Sequence, residues 1–159
     1  MASPGPLTSE SMQSPFRAQS RVYWCPMAGG ATAVTSGTTL RTAVMAIGQT
    51  LGLEASKEVY VGRRLWGAKR MIDVVLTHPT TRQRLGVECK YQGGGGSAEE
   101  KIPATIEDIR SWPIQGIVVF SGLGFSPNMK AFLLSTGKAV ELPDLDVWLR
   151  FYFGLELNA

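Results

Sequence analysis

The chain has 159 residues, of which 44% are hydrophobic and 18% charged, and its formal net charge is +3 at pH 7. This composition indicates a globular protein that can bury its own core, and the charge is compatible with a polyanionic partner without indicating one. Its two cysteines, Cys25 and Cys89, form neither a disulfide framework nor a zinc-binding pattern. No apolar stretch approaches the roughly 18 residues that span a bilayer, and the N-terminus lacks the features of a secretory signal. We therefore expect a cytoplasmic protein with no membrane partner.

The domain is predicted to begin after a polar N-terminal segment. Residues 1–20 are rich in Ser, Pro and Gly and have little to bury, which predicts a flexible tail. We place one domain over residues 21–159, with a short strand over 21–27 at its start. Its core is expected over about 38–122, followed by C-terminal helices over 126–155.

Periodic patterns predict regular elements from residue 39 onward. Apolar residues at three- and four-residue steps predict a first helix, which Ser36 or Thr38 would cap and Gly52 would end. Alternating or β-branched runs predict four strands. The predicted elements are helix 39–53, strands 58–64, 70–77 and 84–91, helix 98–111, strand 114–122, helix 126–136 and an aromatic-rich helix within 142–157. This order predicts a single α/β or α+β domain.

The start of the second helix follows four glycines. Ser97 and Glu100 match a capping box, and Pro103 would either kink the helix or mark its first turn. The glycine loop is not followed by the Gly-Lys-Ser/Thr of a nucleotide-binding loop. Because free N–H groups at a helix N-terminus favour a phosphate, Ser97 is a candidate substrate-binding residue, although a plain flexible connector is an equal alternative.

Two acidic residues are predicted to meet across a hairpin. Asp73 interrupts an otherwise apolar strand, and Glu88 follows in the next strand. A hairpin centred on Thr80 and Thr81 places Asp73 directly opposite Glu88, where like charges destabilise a sheet. A shared proton or a neighbouring cation could offset the repulsion, but a divalent metal would do so best, since carboxylate and carbonyl oxygens are ligands that Mg²⁺ accepts. Lys90 shares the face of Glu88 and could contact a phosphate or assist a metal-bound water. The alternative is an exposed hairpin in which Lys90 pairs with one acid.

These residues resemble the active site of the PD-(D/E)XK nuclease superfamily, in which an acid on one strand precedes (D/E)-x-K on the next. Asp73 and the run Glu88-Cys89-Lys90 match this pattern, and "KYQGGGGSAEEKIP" from Lys90 onward is similar to the stretch after the lysine in some restriction-type members. The resemblance implies a restriction-endonuclease-like core, a helix, three strands, a helix and a strand forming a mixed sheet flanked by helices. It also implies that Asp73 and Glu88 bind the metal, that Lys90 is catalytic, and that Gln92 is an accessory residue facing the site or the phosphate.

The first helix departs from the family pattern. Many members carry an acidic residue there, but residues 39–53 contain none. Glu54 and Glu58 are the nearest substitutes, and Gln49 could take a weaker role. The number of metal ions is therefore left open.

Basic residues between the first two strands suggest where a nucleic acid would lie. The run "RRLWGAKR" ends in Lys69 and Arg70, which are candidate contacts to duplex phosphates, with a solvated turn as the alternative. The C-terminal aromatics could stack on bases but are more typical of a core or an oligomer interface; they are Trp148, Phe151, Tyr152 and Phe153.

The sequence hypothesis is therefore a metal-dependent DNA endonuclease that hydrolyses phosphodiester bonds with Mg²⁺, or Mn²⁺ in its place. Asp73 and Glu88 would hold the metal and Lys90 would act on phosphate or water. Small members of the superfamily often form homodimers, so a homodimer is an expected assembly. The alternatives are a non-catalytic nucleic-acid-binding module of the same fold and an assembly protein without a nucleic-acid role.

Overall fold

The computed structural model describes residues 33–94 and 99–157. The predicted tail 1–20, the predicted strand 21–27 and Ser97 lie outside these residues. Among the described residues, no helix is both long enough and apolar enough to cross a membrane.

Five strands and four α-helices make up the described domain. Two 3-10 turns, Glu99–Lys101 and Leu142–Asp144, precede the second and fourth helices. In chain order the elements are α1 (Gly37–Thr50), β1 (Glu54–Arg63), β2 (Lys69–Thr77), β3 (Arg84–Tyr91), α2 (Ile102–Arg110), β4 (Gln115–Ser121), α3 (Pro127–Ser135), β5 (Ala139–Glu141) and α4 (Leu145–Phe153).

The sheet is mixed, and its strands follow chain order from β1 to β5. The first three strands are antiparallel neighbours, whereas β4 runs parallel to both β3 and β5. Each face of the sheet carries its own apolar core. On one face α1 and α4 pack against β2, β3 and β4, and on the other face α2 and α3 pack against β2 and β4. The fold is therefore the predicted α+β arrangement, a mixed sheet flanked by helices.

The element order is confirmed, with two differences. Strand β1 begins at Glu54, four residues before the predicted start. Its first residues are mostly polar and pair with β2 at the edge of the sheet, so the sequence there lacks the alternating apolar pattern that predicts a strand. The short strand β5 was not predicted, since three residues carry too little pattern to register as a strand.

The capping residues and the proline predicted from the sequence agree with the observed helix ends. Ser36 caps α1 through a capping box with Thr39, and Gly52 follows the helix with φ +78°, in the left-handed region that favours glycine. Pro103 lies in the first turn of α2, so the second of its two predicted roles is confirmed.

Trp112, just after α2, packs against two glycines of the sheet. A Cβ atom added to Gly116 would meet Trp112 Cε3 at 2.5 Å and Ile109 Cγ2 at 2.8 Å, and one added to Gly86 would meet Trp112 Cζ3 at 2.7 Å. The absence of side chains at these two positions lets α2 approach the sheet closely. This contact fixes the helix that lies over Glu88.

We expect Gly116→Ala to destabilise the protein by about 1–3 kcal/mol, because the buried Trp112 ring cannot move aside without disturbing the core. Urea denaturation measures the change. Gly37→Ala is the matched control, since a Cβ there meets nothing within 4 Å. Equal stability of the two variants would contradict the close packing of Trp112 on β4.

Candidate active site

The β2–β3 hairpin has the predicted register, and its ladder stops just before the acidic residues. The last pair is Val74 opposite Val87. Beyond it, Asp73 Oδ2 accepts a hydrogen bond of 2.9 Å from the backbone N–H of Cys89. A side-chain carboxylate thus takes the place of a backbone carbonyl. The two strands part at this point, and the carboxylate of Asp73 lies in the opening.

The alternation of side chains between the two faces of β2 is also broken at Asp73. Alternate residues of a strand normally share a face, yet Ile72 packs in the α2/α3 core and Val74 in the α1/α4 core. The neighbouring strand is irregular at the same level, because Glu58 has φ 52° and no ladder partner between the pairs on either side of it. The sheet is therefore distorted across two strands where Asp73 lies.

Strand β3 stays regular through Glu88 and Lys90. Val87 and Cys89 pack in the α1/α4 core, so Glu88 and Lys90 face α2. Lys90 Nζ lies 2.8 Å from Glu88 Oε1, and the side chains of Lys90 and Glu88 are only 25% and 20% exposed. The alternative of an exposed hairpin predicts an ion pair of this kind, whereas the nuclease hypothesis predicts only that Lys90 shares the face of Glu88. Partial burial distinguishes it from an ordinary surface pair.

The pKa of Glu88 reports its proximity to Asp73. Burial is the largest influence raising this pKa above its usual value, and the charge of Asp73 raises it further. The charge and hydrogen bond of Lys90 oppose these effects but do not cancel them. Cys89 is different, because burial raises the pKa of its thiol so far that it remains protonated and belongs to the core.

Helix α1 contributes a cation where the family pattern led us to look for an acid. Arg41 Nη1 lies 3.2 Å from Glu58 Oε1 and 3.6 Å from Asp73 Oδ1. Of the two proposed acidic substitutes, Glu58 is thus engaged by Arg41, and Glu54 lies far along β1, where it pairs with Arg82 at 3.2 Å. Sequence reasoning missed Arg41, although it is the only charged residue within α1.

Gln92 is buried at the end of β3 and is 6% exposed. Its Nε2 donates to the carbonyl oxygen of Gly124 at 2.8 Å, and its Oε1 has no hydrogen-bond partner in the described structure. The backbone of Gly122 comes so close that a Cβ there would clash with the Gln92 carbonyl oxygen. A buried acceptor without a hydrogen-bond partner costs free energy, so we expect Gln92 Oε1 to accept a hydrogen bond from a water or a ligand.

Two of the predicted substrate-binding residues lie at the start of β2. Arg70 is held by Asp108 of α2, with Nε 3.1 Å from Oδ1, whereas Lys69 is exposed. Arg64 also binds Asp108, at 3.0 Å. Burial acts to raise the pKa of Asp108, but its hydrogen bonds with Arg64 and the charge of Arg64 hold it below its usual value. Asp108 therefore remains ionised and ties the β1–β2 hairpin to α2.

The oxygen atoms suited to a hard cation come from two side chains and one backbone group. Asp73 and Glu88 supply carboxylates. Because the N–H and C=O of one strand residue point to the same side, the carbonyl of Cys89 faces the opening that its N–H faces. Within residues 33–94 and 99–157, no group of three or more His, Cys, Asp and Glu side chains is placed to hold a metal. The donors fit a divalent ion that keeps several waters, as Mg²⁺ does.

The raised pKa of Glu88 predicts a stability difference in metal-free buffer. Because the pKa of Glu88 is higher in the folded than in the unfolded state, protonation of Glu88 stabilises the fold. This stabilisation is complete below the unfolded value of 4.5 and is lost as pH rises through the folded pKa. Glu88→Gln mimics the protonated form. We expect the variant to gain stability relative to the wild type at neutral pH and to lose that advantage as pH falls toward 4.5. Urea denaturation in EDTA across this range tests it, and an advantage that grows on acidification would contradict the assignment.

Comparison with known proteins places the fold. A family model for the PD-(D/E)XK nuclease superfamily domain matches residues 32–147. No curated protein matches the chain. Among solved structures, the chain is similar to AF1548, a protein of unknown function, with 20% identity and a TM-score of 0.44 over 64% of this chain and 57% of that one.

Two further solved structures are similar. Protein VC1899 from Vibrio cholerae has 19% identity and a TM-score of 0.45 over 74% of this chain and 33% of its own. A repair endonuclease from Pyrococcus abyssi has 12% identity and a TM-score of 0.36 over 71% of this chain and 50% of its own. The chain thus spans less than two thirds of each of these three proteins. The family match covers most of the chain, including Asp73, Glu88 and Lys90, and the chain belongs to the PD-(D/E)XK nuclease superfamily.

Proposed function

We propose that the protein is a Mg²⁺-dependent DNA endonuclease, with Mn²⁺ able to replace Mg²⁺. One observation carries the proposal, namely the half-buried Glu88–Lys90 pair beside the carboxylate of Asp73 where β2 and β3 part. A surface hairpin would leave these charges in water, whereas here burial and mutual repulsion raise the pKa of Glu88. A carboxyl whose pKa is raised by burial and a neighbouring charge, in a member of a nuclease superfamily, is a candidate for catalytic work.

The residues take distinct roles in this proposal. Asp73 and Glu88, with the Cys89 carbonyl, would hold the metal, which would stabilise charge on the phosphate and lower the pKa of the attacking water. The Cys89 N–H fixes the orientation of Asp73 through Oδ2, and Oδ1 forms no hydrogen bond among the described residues, with Arg41 Nη1 3.6 Å away. Lys90 has three N–H donors, one of which contacts Glu88 Oε1 at 2.8 Å. It would pass from Glu88 to a phosphate oxygen or to the water once substrate binds.

Gln92 fits an accessory role in the same mechanism. Its side-chain nitrogen is fixed by Gly124, so Oε1 is held as an acceptor with a set direction. It follows Lys90 by two residues, which places it on the same side of β3 if the alternation continues. We propose that it accepts a hydrogen bond from a water ordered beside the phosphate.

A non-catalytic DNA-binding module is the second candidate. Two observations favour it: Arg41 lies near Asp73, and the described part of the chain has no group of three or more His, Cys, Asp and Glu side chains placed to hold a metal. The two candidates differ in whether DNA is cut, so loss of Lys90 separates them.

Lys90→Ala is expected to reduce the Mg²⁺-dependent cleavage rate by at least about 100-fold, because the charge that faces the phosphate is removed. Affinity for DNA, measured in EDTA, is expected to change little. The assay incubates the protein with linear, nicked, branched and single-stranded DNA and Mg²⁺, Mn²⁺ or EDTA. It follows product strands on denaturing gels.

Lys130→Ala is the matched control for this experiment. Lys130 forms a similar ion pair with Glu141, also at 2.8 Å, but on α3 and β5, away from Asp73. The control is expected to cleave at the wild-type rate. Cleavage that survives EDTA, or equal rates in the two variants, would overturn the proposed mechanism. DNA binding without any cleavage by the wild type would favour the binding module.

Metal binding has a readout that does not need activity. A ligand that binds only the folded state raises the unfolding temperature, so Mn²⁺ is expected to stabilise the wild type. Asp73→Asn removes one carboxylate charge, and we expect the Mn²⁺-induced rise in unfolding temperature to disappear. Differential scanning fluorimetry against Mn²⁺ concentration measures it, with Lys130→Ala again as control. An undiminished shift in Asp73→Asn would exclude Asp73 as a ligand.

A further inference from the structure

The tip of the β1–β2 hairpin presents an exposed tryptophan on a fixed turn. Trp66 is 92% exposed and Leu65 beside it is 88% exposed. The turn is closed by hydrogen bonds from Arg64 N to Ala68 O at 2.8 Å and from Gly67 N to Arg64 O at 2.9 Å. Gly67 has φ +80°, which a residue with a side chain adopts poorly. The two apolar side chains are therefore held in water by a formed turn.

Such exposure is unusual for a tryptophan. Phe, Tyr and Trp bury large apolar areas, and contiguous exposed apolar side chains rimmed by polar residues mark interaction sites. Elsewhere in the domain Trp112 is buried and Trp148 stacks on Tyr152 with ring centroids 5.2 Å apart. Trp66 stacks on no aromatic ring among the described residues, and at 92% exposure its ring is open to a flat partner.

The charges around the tip indicate the chemistry of that partner. The run from Arg63 to Arg70 carries four cations and no acidic residue. Asp108 neutralises part of this charge by pairing with Arg64 and Arg70. Across residues 33–94 and 99–157, neither Arg63 nor Lys69 forms a salt bridge. Cations beside an aromatic side chain suit a nucleic acid, since the cations contact phosphates and the ring stacks on a base.

The tip is joined to the candidate active site by a short strand segment. Asp73 lies four residues after Lys69 in β2, a distance of about 13 Å in an extended strand. Asp108 also binds Arg64 and Arg70 on the side of the sheet that Glu88 faces, and the charges of Arg64 and Asp108 both act on Glu88. A strand of DNA held at the tip would thus reach Asp73 within a few nucleotides.

We infer that Trp66 stacks on an unpaired base and that the hairpin tip directs the site to DNA with an interrupted duplex, such as a bulge, a fork or a branch. In a continuous duplex the faces of each base are covered by its neighbours, and only phosphates are available to the tip. An unpaired base offers an open face. This inference rests on the proposed function, because it names the substrate class of the same site.

The test compares two DNAs of equal length, one a continuous duplex and one with a central unpaired stretch, with binding measured by fluorescence anisotropy in EDTA. Trp66→Ala is expected to weaken binding to the interrupted duplex by roughly tenfold, the loss of one stacked base, and to leave the continuous duplex within about twofold. Trp66→Phe is expected to restore most of the affinity. Phe151→Ala is the control, since Phe151 is an aromatic residue of α4 that is 70% exposed.

A spectroscopic measurement checks the contact itself. Stacking on a base quenches indole fluorescence, so the interrupted duplex is expected to quench the wild type more than Trp66→Phe, which keeps the other three tryptophans. Circular dichroism confirms that each variant is folded. Equal binding of Trp66→Ala and wild type to both DNAs, or equal loss on both, would overturn the inference. A change of oligomeric state in Trp66→Ala without a change in DNA affinity would also overturn it and would identify the tip as a protein contact.

The two proposals fail in distinguishable ways. A wild type that cuts DNA with Mg²⁺ while Trp66→Ala binds and cuts both DNAs equally well would remove the role of the tip and leave the nuclease. Selective loss of binding in Trp66→Ala with no cleavage by the wild type would keep the tip and remove the nuclease.

Discussion

The hydrogen bond from the Cys89 N–H to the Asp73 carboxylate is the interaction on which the candidate site depends. An antiparallel hairpin that continued its ladder would place Asp73 and Glu88 as direct neighbours and would satisfy the Cys89 N–H with a backbone carbonyl. The side chain of Asp73 supplies that acceptor instead, and the strands separate. The same bond therefore satisfies a buried backbone donor, opens the sheet and fixes the orientation of one carboxylate. Regular structure on both sides of the opening holds it in place, with the β2–β3 pairs from Val74 onward on one side and the parallel β3–β4 ladder on the other.

A site of this kind conflicts with stability. Glu88 lies where burial and a second carboxylate both disfavour its charge, and the raised pKa shows that Lys90 offsets only part of that cost. A neutral residue at position 88 would suit the isolated fold better. The arrangement is reasonable if a cation joins it, because a divalent ion converts the repulsion between Asp73 and Glu88 into shared coordination. The structural cost and the proposed metal chemistry thus have a common origin in the placement of two acids at one opening.

The sequence predicted the elements with strong periodicity and the register of the hairpin, and it missed features that depend on distant residues. The turn at Thr80 and Thr81 was enough to place Asp73 near Glu88, because a tight turn sets the register of its strands. It could not show that Asp73 would bond to a backbone N–H, since that requires the ladder to end. Nor could it place Arg41 beside Asp73, or Asp108 between Arg64 and Arg70, because those contacts join residues from 32 to 44 positions apart. Its expectation of an acidic partner near the first helix identified Glu58 but not the cation that engages it.

The pairing of Arg41 with Glu58 explains how a cation can lie close to Asp73 without blocking it. Arg41 approaches Glu58 at 3.2 Å but Asp73 Oδ1 only at 3.6 Å, which is beyond hydrogen-bonding distance. The other oxygen of Asp73 bonds to Cys89, so Oδ1 keeps its acceptor capacity for a ligand. Glu58 pairs with Arg41 while its own backbone has φ 52°, a conformation that costs free energy for a residue with a side chain. That strained residue lies beside the point where the face alternation of β2 is broken and the β2–β3 ladder ends. The irregular backbone of β1 and β2, and the end of the β2–β3 ladder, are therefore concentrated around one carboxylate oxygen, as we expect of a site shaped to leave that oxygen available.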